Sequence, residues 1–336
     1  MIATILDDLP LRERIALAVL LAFLVALPSV ASDYWLSVVL IILYFAYVGQ
    51  AWNLMMGIAG QLSLGHALYV GLGAYTAAAL YVHFQLPPAI GLFVSMLIAA
   101  GAATVIGLLA FRFGIGGVYF ALLTIAFAEF IRLAFSHFEW VGAMAGFFLP
   151  VENRAESDLI NLRGSPVMFY YVILTLGVAA AVLVRLLAAS RLGYYWLAIR
   201  EDQEAAQASG VNTFAYKMIA VTISAAMTAL GGVFLAFYYN NLFPSDIFGI
   251  HRSIEIILAP IIGGLGTFFG PVFGAFVLGL LGEGLTSAVE QTGIQTAGVK
   301  QLVYALVLLV IIKFVPGGLW PRVARSMGLG RRRDEP

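Results

Sequence analysis

The chain has 336 residues, of which 62% are hydrophobic and 11% charged, and its mean hydropathy is +0.97. A soluble globular domain carries about half apolar and about a quarter charged residues, so this composition excludes that class and points to an all-α polytopic membrane protein. The formal net charge of zero gives no electrostatic basis for a nucleic-acid partner, and the lack of cysteine removes disulfides, thiolate metal sites and Cys nucleophiles.

The first ten residues, with Asp7 and Asp8, lack the basic start and small-residue cleavage site of a signal peptide, so the first apolar run is expected to stay as an anchor. Apolar runs near the roughly 20 residues needed to cross a bilayer predict eight spans, near 15–31, 36–56, 62–82, 89–111, 117–138, 167–187, 215–239 and 300–314. The stretch 253–283 is too short for two full crossings and too long for one. Pro260, Gly263, Gly264, Gly266, Gly270 and Pro271 interrupt it, which predicts a broken or re-entrant helical hairpin, with two short spans as the other possibility.

Basic residues set the expected orientation. Arg12 and Arg14, Arg112, the group Arg185, Arg191, Arg200 and Lys217, and the tail 321–336 with Arg331 to Arg333 are expected on the cytoplasmic side. Six crossings between the N-terminus and residue 190 agree with this, and a hairpin that enters and leaves on the outer side lets the last span return to the basic tail. Both termini are then cytoplasmic, and the polar loop 136–166, with Glu139, Glu152, Glu156 and Asp158, is external: a solvated connection or a contact surface for an external partner.

Within the polar island 190–213, the run Glu204-Ala205-Ala206-Gln207-Ala208-Ser209-Gly210 reads as a short helix ended by glycine, with Asn212 or Thr213 capping the next one. Small alanines leave a slim face that can enter a groove on a partner, and Glu201, Asp202 and Glu204 suit the helix start and can meet basic groups across an interface. A surface helix that touches nothing accounts for the same residues.

Glu204, Ala205, Ala206 and Gly210 resemble the EAA loop of ABC importer permeases. A wider resemblance, to the branched-chain amino acid permease family, covers nearly the whole chain. It is carried by the run Asn53 to His66 leading to Gly73-Ala74-Tyr75, by Gly117 to Thr124, by Ala198-Ile199-Arg200-Glu201, and by Gly263-Gly264-Leu265-Gly266-Thr267 with Gly270-Pro271. Tyr119-Phe120-Ala121 and the long N-terminal half favour the LivM type over the LivH type. The resemblance implies a non-catalytic pore subunit in a bacterial inner membrane, with no cofactor of its own. Its implied partners are a second, LivH-like permease, two cytoplasmic ATP-binding subunits and an external solute-binding protein. It assigns ATPase coupling to Arg200, Glu201, Glu204, Ala205, Ala206 and Gly210. The sequence agrees that ATP is handled elsewhere, since no Gly-x-x-x-x-Gly-Lys-Ser/Thr occurs.

Polar groups inside a bilayer are costly and so are functional candidates. Asn53, Gln61, Ser63 and His66 cluster around a glycine-rich break and, with Gly263, Gly264 and Gly266, form the candidate solute path. Interhelical hydrogen bonding across glycine contacts explains the same pattern. His66 has no carboxylate near it in sequence, which favours a hydrogen-bonding role over a metal ligand or proton relay. Glu129 and Arg132 stand one turn apart and can pair, as structure or as an outer gate, and Glu255 and Glu283 bracket the hairpin. An ion-coupled transporter acting alone is the alternative function, but it needs mid-span carboxylates that this chain nearly lacks. A membrane enzyme needs clustered polar groups, and the four histidines are scattered at 66, 83, 137 and 251.

Overall fold

The computed structural model describes residues 11–150, 158–292, 305–306, 309, 313–315 and 317–326. Its helices are α1 (Leu11–Ala26), α2 (Asp33–Asn53), α3 (His66–Phe84), α4 (Pro88–Arg112), α5 (Gly117–His137), α6 (Pro166–Ala188), α7 (Arg191–Glu201), α8 (Gln203–Ala208), α9 (Thr213–Tyr239), α10 (Pro244–Ile247), α11 (Ile250–Gly263), α12 (Gly270–Thr292) and α13 (Trp320–Ser326). Among the described residues, six are long and apolar enough to cross a membrane: α2 with its extension to Ile58, α3, α4, α5, α6 and α9. The expected first span is shorter than proposed, because Pro28 ends α1 in a 3-10 turn, Leu27–Ser29. The expected eighth span, 300–314, lies largely outside the described residues.

Caps mark the boundaries chemically. The Ser165 hydroxyl accepts from Met168 N–H at 3.4 Å to start α6, and Asn212 Oδ1 accepts from Ala215 N–H at 3.1 Å to start α9. Gln85 and Asn240, both in the left-handed conformation, end α3 and α9. Beyond Asn240, β2 (Asn241–Leu242) pairs antiparallel with β1 (Phe147–Phe148) and fastens the 136–166 loop to the end of α9.

Helix α9 lies at the centre, packed on α3 and α4, while α2 packs on α6, α11 and α12. Glycines allow this closeness. A side chain at Gly73 would strike the Ala229 carbonyl, and one at Gly232 would strike the Val70 carbonyl, so α3 and α9 meet backbone to backbone. Trp52, Tyr44, Tyr69, Tyr170 and Phe234 fill the space around them, all buried.

The 253–283 stretch forms an antiparallel pair. Helix α11 carries Pro260 inside it and ends in a turn at 264–269, after which α12 runs back beside it and continues past Glu283 to Thr292. Helix α11 has 14 residues, so it extends only about 21 Å, short of the ~30 Å of a hydrocarbon core. Its start lies near Tyr239 and Glu283, and its turn lies at the opposite end of the bundle, against Gly57 and residues 317–321.

Candidate functional site

Helix α2 does not end cleanly. Its last turn widens into a π-helical turn, Leu54–Ile58, and the chain then runs without helix to Gly65. The glycines have separate reasons. Gly60 sits at φ +69°, and a Cβ there would stand 2.8 Å from Arg200 Cγ; a Cβ at Gly57 would stand 2.5 Å from Gly266 N. The break is therefore the seat on which α7 and the hairpin turn rest.

Asn53, buried at 1% exposure, clamps that turn. Its Nδ2 donates to Thr267 O at 3.1 Å and its Oδ1 accepts from Gly266 N–H at 2.8 Å. Arg200 approaches from the other side: Nη1 donates to the Gly57 carbonyl, and Nη2 donates to Glu201 Oε1 at 3.2 Å. The far flank of the turn is held by Leu319 N–H donating to Ile262 O at 2.8 Å, with Gly318 packed directly on Gly264.

The polar residues of the break are taken up by hydrogen bonds, some between helices and some local. Ser224 Oγ donates to Ala51 O at 2.7 Å, so the His66 Nε2 contact with Ser224 Oγ at 3.0 Å makes Nε2 the protonated nitrogen. His66 Nδ1 then accepts from Ser63 Oγ at 3.2 Å, which leaves a neutral imidazole with both nitrogens occupied. Trp52 Nε1 donates to Ser63 O at 2.8 Å, and Gln61 Nε2 bonds locally to Ala59 O at 2.9 Å. Sequence reasoning missed Ser224, Thr124, which accepts from Leu64 N–H, and Ser253, which accepts from Ala67 N–H. Ser224 and Thr124 are polar residues in largely apolar stretches, the signal that could have found them; Ser253 stands among charged neighbours and carries no such signal.

The loop beyond Arg200 is built as two helices meeting at Asp202, whose Oδ1 accepts from Glu204 N–H at 2.9 Å and Ala205 N–H at 3.0 Å. Glu201, Glu204, Ala205 and Gly210 are exposed, and Gly210 ends α8 at φ +85°. Ala206 differs from the expected slim outward face: it is 5% exposed and turned into the protein, so the face open to a partner consists of Glu204, Ala205 and their exposed neighbours.

At the other end of the hairpin, a cavity of about 880 Å³ opens between α2, the end of α9, α11 and α12. Ile41, Phe45 and Leu258 supply its apolar part, and its rim holds Glu283, which accepts from the Tyr34 hydroxyl at 2.5 Å, and Glu255, paired with Arg252 at 3.0 Å.

The model of a family described as the permease component of branched-chain amino acid transport systems matches residues 33–312. The chain is similar to the high-affinity branched-chain amino acid transport system permease protein LivM of Escherichia coli (strain K12), 26% identical over 345 aligned positions covering 96% of this chain and 79% of LivM. It is similar to LivH of the same system and strain, 30% identical over 133 residues, 40% of this chain and 41% of LivH. It also resembles the fructose import permease protein FrcC of Rhizobium meliloti, 30% identical over 131 residues, 37% of this chain and 36% of FrcC. No solved structure matches.

Proposed function

Because this chain belongs to the family of permease components of branched-chain amino acid transport systems, we propose that it is one half of the transmembrane pore of an ATP-driven ABC importer in a bacterial inner membrane. Its solute is a branched-chain or related amino acid. A second, LivH-like permease, two cytoplasmic ATP-binding subunits and an external solute-binding protein complete the assembly, and ATP is hydrolysed on the separate chains. The loop 190–213 and the tail 321–336 face the cytoplasm, and 136–166 faces outside.

One contact carries the coupling part of this reading. Arg200 stands at the end of the helix that leads into the exposed Glu204–Gly210 loop, and it reaches the Gly57 carbonyl at the hairpin turn. A push from an ATPase on Glu204 and Ala205 is thereby delivered to the π-helical break at the end of α2. Asn53, Gly263, Gly264 and Gly266 serve in this reading as the moving joint, and Ser63, Gln61 and His66 hold its seat. The alternative, an ion-coupled transporter acting alone, would need a mid-span group free to exchange an ion or proton; His66 has both ring nitrogens bonded, and Glu129 is tied in a bidentate pair with Arg132, so neither offers one.

The test is purification from the native membrane in mild detergent with mass spectrometry of what comes with the chain. Recovery of a second permease and two ATP-binding chains is the expected result. If the chain emerges alone under conditions that preserve a control ABC complex, the importer reading falls, and uptake driven by an ion gradient becomes the experiment to do.

A further inference from the structure

The ion pair on α5 has no role in the coupling route, and its setting is unusual. Arg132 Nε donates to Glu129 Oε2 at 2.9 Å and Nη2 donates to Glu129 Oε1 at 2.6 Å, a bidentate pair whose side chains are 25% and 49% exposed. Helix α5 has 21 residues, about 31 Å, close to the thickness of a hydrocarbon core. Glu129 is the thirteenth of them, about 3 Å past the midpoint of the helix. The bidentate geometry also draws the guanidinium back toward the middle of the span, away from the nearer helix end where a free arginine would snorkel.

Among the described residues, the rest of the bundle leaves this face open. Only 22% of the α5 window is buried, the lowest share of the six long helices. Ala126, Phe130 and Leu133 are exposed beside the pair. Helix α4 supplies the contrast: it is nearly as open, at 28% buried, but its exposed stripe of Phe93, Leu97, Val105 and Leu108 is wholly apolar, as a lipid-facing surface should be. A charged pair near mid-depth is stable against protein or water and costly against acyl chains.

We infer that the α5 face bearing Glu129 and Arg132 is the contact with the second permease, which meets the ion pair with polar side chains at the same depth. The inference rests on the pore-subunit reading above. It assigns α5, rather than α4, to the seam between the two halves. It also gives Glu129 and Arg132 the role of fixing the register of that seam, since an ion pair accepts only a partner whose polar groups arrive at its own depth.

The experiment is photocross-linking in the complete transporter, expressed with its neighbouring subunits, with benzoylphenylalanine at position 126, 133 or 97 and adducts identified by mass spectrometry. Adducts with the second permease from 126 and 133, and none from 97, are expected. In the same preparations the double variant Glu129→Leu/Arg132→Leu should lower recovery of the second permease about tenfold. Adducts from 126 and 133 confined to lipid or to a second copy of this chain, equal adducts from 97, or full recovery with the double variant would each overturn the inference, provided that the second permease and the ATP-binding chains co-purify with the unmodified chain. If they do not co-purify even then, the pore-subunit reading itself fails and takes this inference with it.

Discussion

Adding one methyl group at Gly57 should unseat the hairpin turn. The new Cβ would lie 2.5 Å from Gly266 N and 2.9 Å from Asn53 Cγ, and closer still to Asn53 Oδ1. Neither neighbour is the free end of a flexible chain, because Asn53 is fixed by its bonds to Gly266 and Thr267. Either the turn backs away or the carboxamide rotates, and each route breaks both bonds. Overpacking costs about 1–3 kcal/mol, and leaving the Gly266 N–H and Thr267 carbonyl without partners costs about 1–3 kcal/mol each, so Gly57→Ala should destabilise by about 3–9 kcal/mol in all. The readouts are thermal unfolding in detergent and amide exchange across 264–267, which should quicken before the rest of the bundle opens. Gly101→Ala and Gly177→Ala are the controls, since a Cβ at either meets nothing within 4 Å; these helix-interior changes should stabilise by about 0.5–1 kcal/mol. If Gly57→Ala unfolds with the wild type and leaves exchange at 264–267 unchanged, the turn is not seated on Gly57.

The exposed and buried residues of the coupling loop should separate in assay. Glu204→Lys is expected to keep the melting temperature and abolish solute uptake, whereas Ala206→Leu should lower the melting temperature by overpacking, about 1–3 kcal/mol; normal uptake with Glu204→Lys would end the coupling assignment. Ser224→Ala removes the acceptor for His66 Nε2–H and the donor to Ala51 O, and should cost about 2–4 kcal/mol in thermal unfolding. Added zinc should leave the unmodified protein's melting curve in place, because no His66 nitrogen is free to bind it. In the 136–166 loop, the Asn161 side-chain amide, helped by the Asn161 and Ile160 N–H groups, holds the Asp158 carboxyl below the usual range. A folded pKa below the unfolded one makes this turn's stabilisation complete above the ordinary carboxylate value, about 3.9, and lost as the pH falls through the folded value. Amide exchange at Ile160 and Asn161, corrected for intrinsic rates, should rise on acidification; a rise toward neutral pH would refute it.

The architecture was legible where one physical cause dominates. Hydropathy located the long helices, because in a bilayer each must satisfy its own backbone, and glycines with Pro260 located both the break after α2 and the hairpin. What the sequence hid is mostly distance. Gly57 and Arg200 are 143 residues apart, and nothing local in either says that they touch. Ala206 looked like its neighbour Ala205, since a two-turn helix of small residues carries no stripe to show which side packs inward. The polar cluster from Asn53 to His66 was visible, but its purpose depended on Ser224, Thr124, Ser253 and Thr267, each on another element. The end of α1 was misjudged for a simpler reason: Pro28 outweighs a hydrophobic run that continues past it.

The hairpin is gripped at its turn by Asn53 and by Leu319, while its opposite end borders open volume and is tied to α2 by the Tyr34–Glu283 hydrogen bond. A rod held firmly at one end and beside open volume at the other behaves as a lever. With about 21 Å between the turn and the start of α11, a tilt of about 5° at the turn displaces the far end by about 2 Å, roughly the van der Waals radius of a methyl group. A shift at the Glu204–Gly210 loop too small to break any helix would thus be enlarged where Glu255 and Glu283 stand, on the rim of the cavity.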